Sequence, residues 1–345
     1  MKLKIKIWPY VLLFLATVLI VFALSYLFSL FFPVASVTDP IITQPPVTTP
    51  STGPSTEPTL PAGYEDKQIV TLGQEVPNIG ATKAFVYDCA TREFLYMKNN
   101  AYTKLYPASI TKLMTAYVAL QYLSPDTLIT IDEELFSIIV FDSSVTGLVP
   151  GDETTVESLL YAAIMTSGSD ATHALAVAAG KVIAQDTDLG VFGAVSVFLE
   201  EMNRQAEEMG MVNTHFTNCD GYPNYYHYSC MADLALLAEK CLENPLILKV
   251  MSTHITYIPF TDGRTMYLSN GNWMLHSNYI YYRKECVGMK NGTTDQAGYC
   301  ILSAFRRGDS FVVLGVFQCN SIEDRLEQTL RLYDTVVLGK APEIE

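Results

Sequence analysis

The chain has 345 residues, 49% of them hydrophobic, and its 22 Lys and Arg stand against 36 Asp and Glu for a net charge of −14. That much apolar content excludes wholesale disorder, and a net-acidic surface repels phosphate, so no nucleic acid is expected as a partner. The mean hydropathy is positive, and part of that sign comes from one end of the chain.

Lys2, Lys4 and Lys6 open the sequence, and from Ile7 to Thr38 no charged residue follows. Trp8 to Phe32 is almost wholly apolar and about as long as a helix must be to cross a bilayer, which predicts a transmembrane segment. Pro33-Val34-Ala35-Ser36 offers the small residues of a cleavage site, but the apolar run exceeds a usual signal core, so an uncleaved signal-anchor is the favoured reading for residues 1–36. The lysines precede the run and Asp39 is the first charge after it, so the positive-inside rule leaves the N-terminus in the cytoplasm and everything after Pro33 outside.

Thr38 to Ala62 holds 7 Pro and 7 Thr in 25 residues and almost no large apolar side chain, so residues 37–67 are expected to be an extended linker. At about 3.1 Å per residue in polyproline geometry it reaches up to roughly 80 Å, which suits a target beyond the lipid surface such as a cell wall.

Residues 68–345 can build one sizeable core. Lys83 to Asp88 and Glu93 to Lys98 read as two strands around the turn Cys89-Ala90-Thr91-Arg92. A helical block follows from about Ser109 to Leu242, with helix-like apolar spacing over Val156–Met165, Ala171–Ile183, Phe192–Met209 and Met231–Leu242. Strand patterns return at Glu285–Met289, Gly298–Phe305 and Ser310–Gln318, and a last amphipathic helix runs from about Ile322 to Leu338. Strands at both ends with helices between them predict an α+β domain, a mostly antiparallel sheet plus an inserted helical subdomain, with a cleft where they meet.

Seven cysteines (Cys89, Cys219, Cys230, Cys241, Cys286, Cys300 and Cys319) form no C-x-x-C pair and no Cys/His cluster of zinc spacing, so no metal is expected. Some can pair, but buried thiols acting as small apolar groups are the favoured reading. His173, His215, His227, His254 and His276 are scattered and read as surface or structural.

The chemistry lies in hydroxyl and amine groups. In Tyr106-Pro107-Ala108-Ser109-Ile110-Thr111-Lys112 a serine stands at a helix start with a lysine three positions on, so the amine of Lys112 can reach the hydroxyl of Ser109. Serine is a poor nucleophile until a base takes its proton, and a partly buried lysine near other cations can be neutral enough to do so. The helix start adds free backbone N–H groups for a developing oxyanion.

The surrounding text resembles the penicillin-binding D-alanyl-D-alanine carboxypeptidases, serine peptidases that trim peptidoglycan stems. Pro107 to Ala116 resembles the first block of that family. Gly147 to Glu153, Val156 to Tyr161 and Ser167-Gly168-Ser169-Asp170-Ala171 resemble the second, and Val287 to Thr294 with Ala297 to Cys300 the third. Asn218 to Tyr222, Asp233 to Ala238 and Asn270-Gly271-Asn272 also look like landmarks of the family, and the whole spans about residues 68 to 340 in order. Two departures fall inside the motifs, since Ser169 stands where the family has asparagine and Asn291 where its K-T-G has threonine.

The resemblance implies a β-lactamase/DD-peptidase-like fold and a set of roles. Ser109 attacks, Lys112 takes its proton, Ser167 relays a proton to the leaving D-alanine, and Lys290 supplies positive potential. Ser169, Asn291, Gly292, Thr293 and Arg325 bind substrate, Arg325 at its carboxylate, and the N–H groups of Ser109 and Thr293 form the oxyanion hole. Thr294 and Asp170 read as structural, and Gly147 and Gly151 as turns. The implied partners are peptidoglycan stem peptides and β-lactam antibiotics, the membrane being held through the N-terminal helix, with no cofactor. The family's frequent C-terminal β-domain is not expected, because the chain stops about 50 residues after the third motif. Three activities stay open at this stage: the membrane-anchored carboxypeptidase, an endopeptidase or β-lactamase on the same fold, and a wall- or penicillin-binding protein whose motif changes have weakened turnover.

Overall fold

In the computed structural model the described residues are 79–340, so the expected anchor (1–36) and linker (37–67) lie outside them. Among the described residues no helix is long and apolar enough to cross a membrane.

β1 (Lys83–Asp88) and β2 (Glu93–Lys98) form the expected hairpin, pairing Asp88 with Glu93 and Ala84 with Lys98. Arg92 closes its turn in the left-handed region at φ 59°, its N–H donating to the Asp88 carbonyl at 2.8 Å. The chain then leaves the sheet for α1 (Thr111–Tyr122), β3 (Leu128–Thr130), β4 (Glu153–Thr155), α2 (Val156–Met165), α3 (Ser169–Ala184), α4 (Val191–Glu208), α5 (Met231–Glu243) and α6 (Pro245–Ser252). A small hairpin, β5 (Ile255–Pro259) and β6 (Thr265–Ser269), precedes the return to the sheet through β7 (Cys286–Thr294), β8 (Gly298–Arg307) and β9 (Ser310–Cys319). The last helix, α7 (Ile322–Leu332), ends earlier than its apolar pattern suggests and passes into a π-helical turn over Tyr333–Val337.

The five large strands lie in the order β2-β1-β9-β8-β7, all antiparallel, so the first and last strands of the domain pair at its centre and the helices are inserted between β2 and β7. Both faces of this sheet are covered. Phe85, Tyr87, Leu302, Ala304, Val313 and Phe317 point into the core shared with the helical insert. Ala84, Val86, Ile301, Phe305, Val312, Leu314 and Val316 alternate with them and meet Leu326, Leu330 and Leu332 of α7. Burial on both faces explains why β1, β8 and β9 carry apolar runs instead of a clean alternation. β7 is left as an edge strand, and that edge borders the cleft described below.

Five elements absent from the sequence reading, α6 and the strands β3, β4, β5 and β6, are short. α6 carries a start signal all the same: Asn244 accepts from the N–H groups of Leu246 at 3.0 Å and Ile247 at 3.1 Å, and Pro245 opens the helix. β3 and β4 are three residues each, too brief for a period to show. The described cysteines form no disulfide, and all but Cys89 are buried. Burial pushes the Cys300 thiol up to about 11 and that of Cys286 to about 12, which makes them inert apolar groups.

Phe85 is fully buried at the centre of the sheet, its ring stacked 6.2 Å from Phe317 and edge-on to Phe94 at 5.7 Å. Phe85→Ala is expected to lower unfolding free energy by about 3–5 kcal/mol in a urea titration, and a loss under about 1 kcal/mol would contradict this placement of the core.

Candidate active site

Ala108 holds φ at 49°, a conformation that costs a non-glycine residue of order 1 kcal/mol or more and that aims Ser109 out of the chain at the start of a 3-10 turn, Ala108–Ile110, leading into α1. The bend is gripped from two sides. At Gly221, itself at φ 87°, a Cβ would lie 1.8 Å from the Ala108 carbonyl oxygen, and at Gly292 of β7 one would lie 2.9 Å from the Ser109 nitrogen. Only glycine lets both backbones approach the serine this closely. Asn218 braces the first of these neighbours, accepting from Gly221 N–H at 2.7 Å and donating to the Tyr222 carbonyl at 2.8 Å.

Lys112 lies one turn into the helical run and is almost fully buried. Its Nζ donates to Ser109 Oγ at 3.2 Å and to the Asp220 carbonyl at 2.7 Å. Burial pulls its pKa below the usual lysine range, and the nearby Asp220, Cys219 and Asp170 oppose that pull in part. His227 supports the same stretch from behind. Its Nδ1 accepts the Thr217 N–H at 3.1 Å, so Nε2 is the protonated nitrogen and donates to Thr111 Oγ1 at 2.8 Å. Burial takes the His227 pKa down to about 4, which keeps the ring neutral.

Of the two serines in the second motif, Ser169 lines the cleft and Ser167 does not. Ser167 sits half-buried at φ 63° in the bend between α2 and α3. Ser169, the first residue of α3, donates its hydroxyl to Asp220 Oδ2 at 2.6 Å. Burial alone would raise the Asp220 carboxyl, but the Lys112 and His173 charges and the Ser169 hydroxyl hold it below the usual carboxylate range.

Asp170, beside Ser169, is fully buried and accepts the N–H groups of Thr146 at 2.8 Å, Gly147 at 2.8 Å and Leu148 at 3.0 Å. It fixes the loop whose Asp142, Ser143 and Ser144 form one wall of the cleft, so its place is structural.

Lys290 on β7 is buried, and its pKa falls well below the usual lysine range through burial first and through the Lys112 and Arg325 charges next. Its Nζ donates to the Asn291 carbonyl at 2.9 Å and to Asn291 Oδ1 at 3.1 Å. The Asn291 amide donates in turn to the Gly271 carbonyl at 3.0 Å, so it joins Lys290 to the Asn270-Gly271 turn instead of projecting from the cleft wall. Arg325 is buried behind the strand, its Nη1 donating to Thr293 Oγ1 at 3.1 Å and lying 3.4 Å from the Gly292 and Cys300 carbonyls.

The result is a cleft of about 430 Å³ in which Ser109, Lys112, Ser169 and Thr293 meet. Gly292 packs directly on the serine, while Lys290, Asn291 and Arg325 stand behind that wall and Ser167 to its side. Asp142, Ser143, Ser144, Asp220, Gly221, Tyr222, Pro223, Thr294, Asp295 and Gln296 complete the lining, and of these only Thr294, read as structural, was assigned a role from sequence. The turn chemistry of Asn218 to Gly221 marks a tight loop at Asp220, but nothing local in the sequence sets that loop against the serine bend. Among the described residues no group of three or more His, Cys, Asp or Glu side chains is placed to hold a metal ion.

The chain is similar to known proteins over about three quarters of its length. The family model described as D-alanyl-D-alanine carboxypeptidase matches residues 70–321. A D-alanyl-D-alanine carboxypeptidase of Bacillus subtilis is 28% identical over 256 residues, which are 74% of this chain and 61% of the relative, so this chain spans about three fifths of that protein. One from Streptomyces is 30% identical over 253 residues, 72% of this chain and 84% of its own. Among solved structures, a Streptomyces DD-transpeptidase superposes with a TM-score of 0.68 at 29% identity, over 76% of this chain and 98% of that one. A Listeria monocytogenes penicillin-binding protein in its ampicillin-bound form gives 0.63 at 26% identity, over 76% of this chain and 100% of the other.

Asp170→Ala strands three backbone donors and is expected to cost about 2–5 kcal/mol of stability, read by thermal unfolding, with the 142–148 loop losing protection in hydrogen exchange. Unchanged exchange in that loop would show that something else holds it.

Proposed function

The chain belongs to the D-alanyl-D-alanine carboxypeptidase family of serine peptidases, and from that membership we propose that it removes the terminal D-alanine from peptidoglycan stem peptides through an acyl-enzyme on Ser109. The observation that carries the reading is the buried Lys112 amine 3.2 Å from Ser109 Oγ. A lysine whose pKa is lowered by burial has an accessible neutral form, and hydrogen-bond reach is what a general base needs.

The steps balance as follows. Ser109 Oγ attacks the carbonyl carbon of the penultimate D-alanine while Lys112 takes the hydroxyl proton. The oxyanion that forms is held by the N–H groups of Ser109 and Thr293, whose backbones the Gly292 contact brings together. The C–N bond then breaks, the proton taken up by Lys112 passes to the departing amine of D-alanine, and an ester to Ser109 remains until water hydrolyses it. The relay that the second motif implies for Ser167 requires its hydroxyl to turn toward a cleft that it does not line in this structure. Lys290 stands behind β7, where burial and the Lys112 and Arg325 charges oppose its own protonation, so the two amines do not both hold their protons. Arg325, from behind the strand, bonds Thr293 Oγ1 and so orients the residue that faces the substrate's terminal carboxylate. Ser169 lines the substrate cleft, Gly292 packs on the serine, and Asn291 braces β7 from behind through the Gly271 carbonyl. A β-lactam would acylate the same serine and leave slowly.

The run from Trp8 to Phe32, with lysines before it, supports an N-terminal anchor whose catalytic domain faces the cell wall from outside. Deleting residues 1–36 should move the protein from the membrane fraction to the soluble one, and retention at the membrane would refute the anchor.

With a diacetyl-Lys-D-Ala-D-Ala tripeptide and the full chain in detergent, D-alanine release is expected for the wild type and none for Ser109→Ala. Lys112→Ala should lower kcat/KM by about 10³-fold or more. The wild-type rate should rise with pH through the titration of Lys112, at a pH below the ordinary lysine range because burial lowers that pKa. Penicillin labelling of Ser109 without D-alanine release would point to another peptide bond or to a binding role, and release that survives Ser109→Ala would end the serine mechanism.

A further inference from the structure

Where the family's second motif carries asparagine, Ser169 is too short to span the cleft and lacks an amide. The structure shows what completes it. Ser169 Oγ donates to Asp220 Oδ2 at 2.6 Å, while the main-chain carbonyl of the same Asp220 receives Lys112 Nζ at 2.7 Å. The other carboxylate oxygen accepts the Tyr222 N–H at 3.2 Å. Asp220 is 4% exposed, and the cleft is where its remaining surface lies. A carboxylate so buried is tolerated because its oxygens are hydrogen-bonded and cationic groups stand close by.

The loop that presents it is fixed independently. Asn218 bonds the backbone on the far side of Asp220 at both Gly221 and Tyr222, and Gly221 abuts the Ala108 bend. One residue therefore touches the base through its backbone and the second motif through its side chain, from a loop braced against the nucleophile.

We propose that Asp220 is a positioning residue for the acylation step, its carboxylate taking the one Ser169 hydroxyl proton in a hydrogen bond and so fixing the Ser169 oxygen as an acceptor in the wall that also holds Lys112, where the family carries an asparagine side chain. The proposal rests on the reading that Lys112 activates Ser109. It gives the Asp220 side chain two separable effects. The first is geometric and shared with Ser169, since both ends of one hydrogen bond are needed for it. The second is electrostatic, because a negative charge beside Lys112 favours the ammonium form. The other charged or titratable groups facing that amine are Cys219 from the same loop, Asp170 from α3, Lys290 from β7 and the neutral His227. Removing the Asp220 charge therefore leaves Lys112 neutral to a lower pH.

The test follows acylation of the full chain by a fluorescent penicillin. Asp220→Ala and Ser169→Ala should each slow acylation about tenfold, and the double variant should be no slower than either, because one interaction has been removed twice. Asp220→Asn keeps an acceptor for Ser169 and drops the charge. It should hold the plateau rate within about threefold while its acidic limb moves to lower pH. Losses that multiply in the double variant, or an acidic limb that stays put in Asp220→Asn, overturn the proposal. Should Asp220→Ala fail to fold, Ser169→Ala and Asp220→Asn decide alone, and a wild-type rate in the first with an unmoved limb in the second overturns it equally. Labelling of the wild type that persists in Ser109→Ala removes instead the acyl-enzyme reading beneath it, so the two failures are distinguishable.

Discussion

Burying the amine of Lys112 is the constraint on which the rest of the site depends. In water a lysine is a cation and no base. Surrounded by α1, α3, the 218–222 loop and β7, it loses its hydration, and that loss weakens its hold on a proton. That surrounding cannot be local in sequence, because each wall belongs to a different segment. The serine bend is therefore compressed between Gly221 and Gly292, the two positions where a side chain would force the walls apart.

The sheet makes this closure rigid. β1 and β9, at opposite ends of the domain, pair along their length, so the helical insert leaves and re-enters through a frame whose strands are covered on both faces. The strand that abuts the serine bend is the edge, β7, where Lys290 to Thr294 continue the ladder with β8 although the sequence there is polar. An edge keeps one row of backbone groups free for a ligand, which a central strand cannot do. Placing chemistry there costs the strand its apolar pattern, and Arg325 compensates from behind by bonding Thr293 and approaching the Gly292 and Cys300 carbonyls.

That trade also sets how much was legible in the sequence. Helices with a wide apolar stripe, such as Val156–Met165 and Met231–Glu243, coincide with their periodic segments to within a residue. β7 runs five residues beyond its apolar pattern, because Lys290 to Thr294 are polar or small and show no period of apolar residues. At the site, Ser109 and Lys112 were readable because both lie on one turn, and spacing within a turn fixes distance. Asp220 was not, because its nearness to Lys112 comes from a contact across 108 residues that no local pattern encodes. The same limit applies to Asn291. Its chemistry suggests a donor toward substrate, yet the buried Lys290 and the Gly271 carbonyl take up its amide first.

The two motif departures are best understood together with the segments they touch. A shorter residue at Ser169 leaves space and an unmet hydroxyl in a buried wall, and Asp220 fills both. A longer residue at Asn291 brings an extra carbonyl and amide into another buried wall, and Lys290 with the Gly271 turn satisfies both. In each case the polar atom gained or lost inside the motif is balanced by a loop outside it, as the cost of leaving buried polar groups unpaired requires. Motif letters thus describe half of each interaction, and the other half lies in Asn218 to Tyr222 and in Asn270-Gly271. A single exchange at either position, made without its partner, would leave the corresponding buried group without its bond.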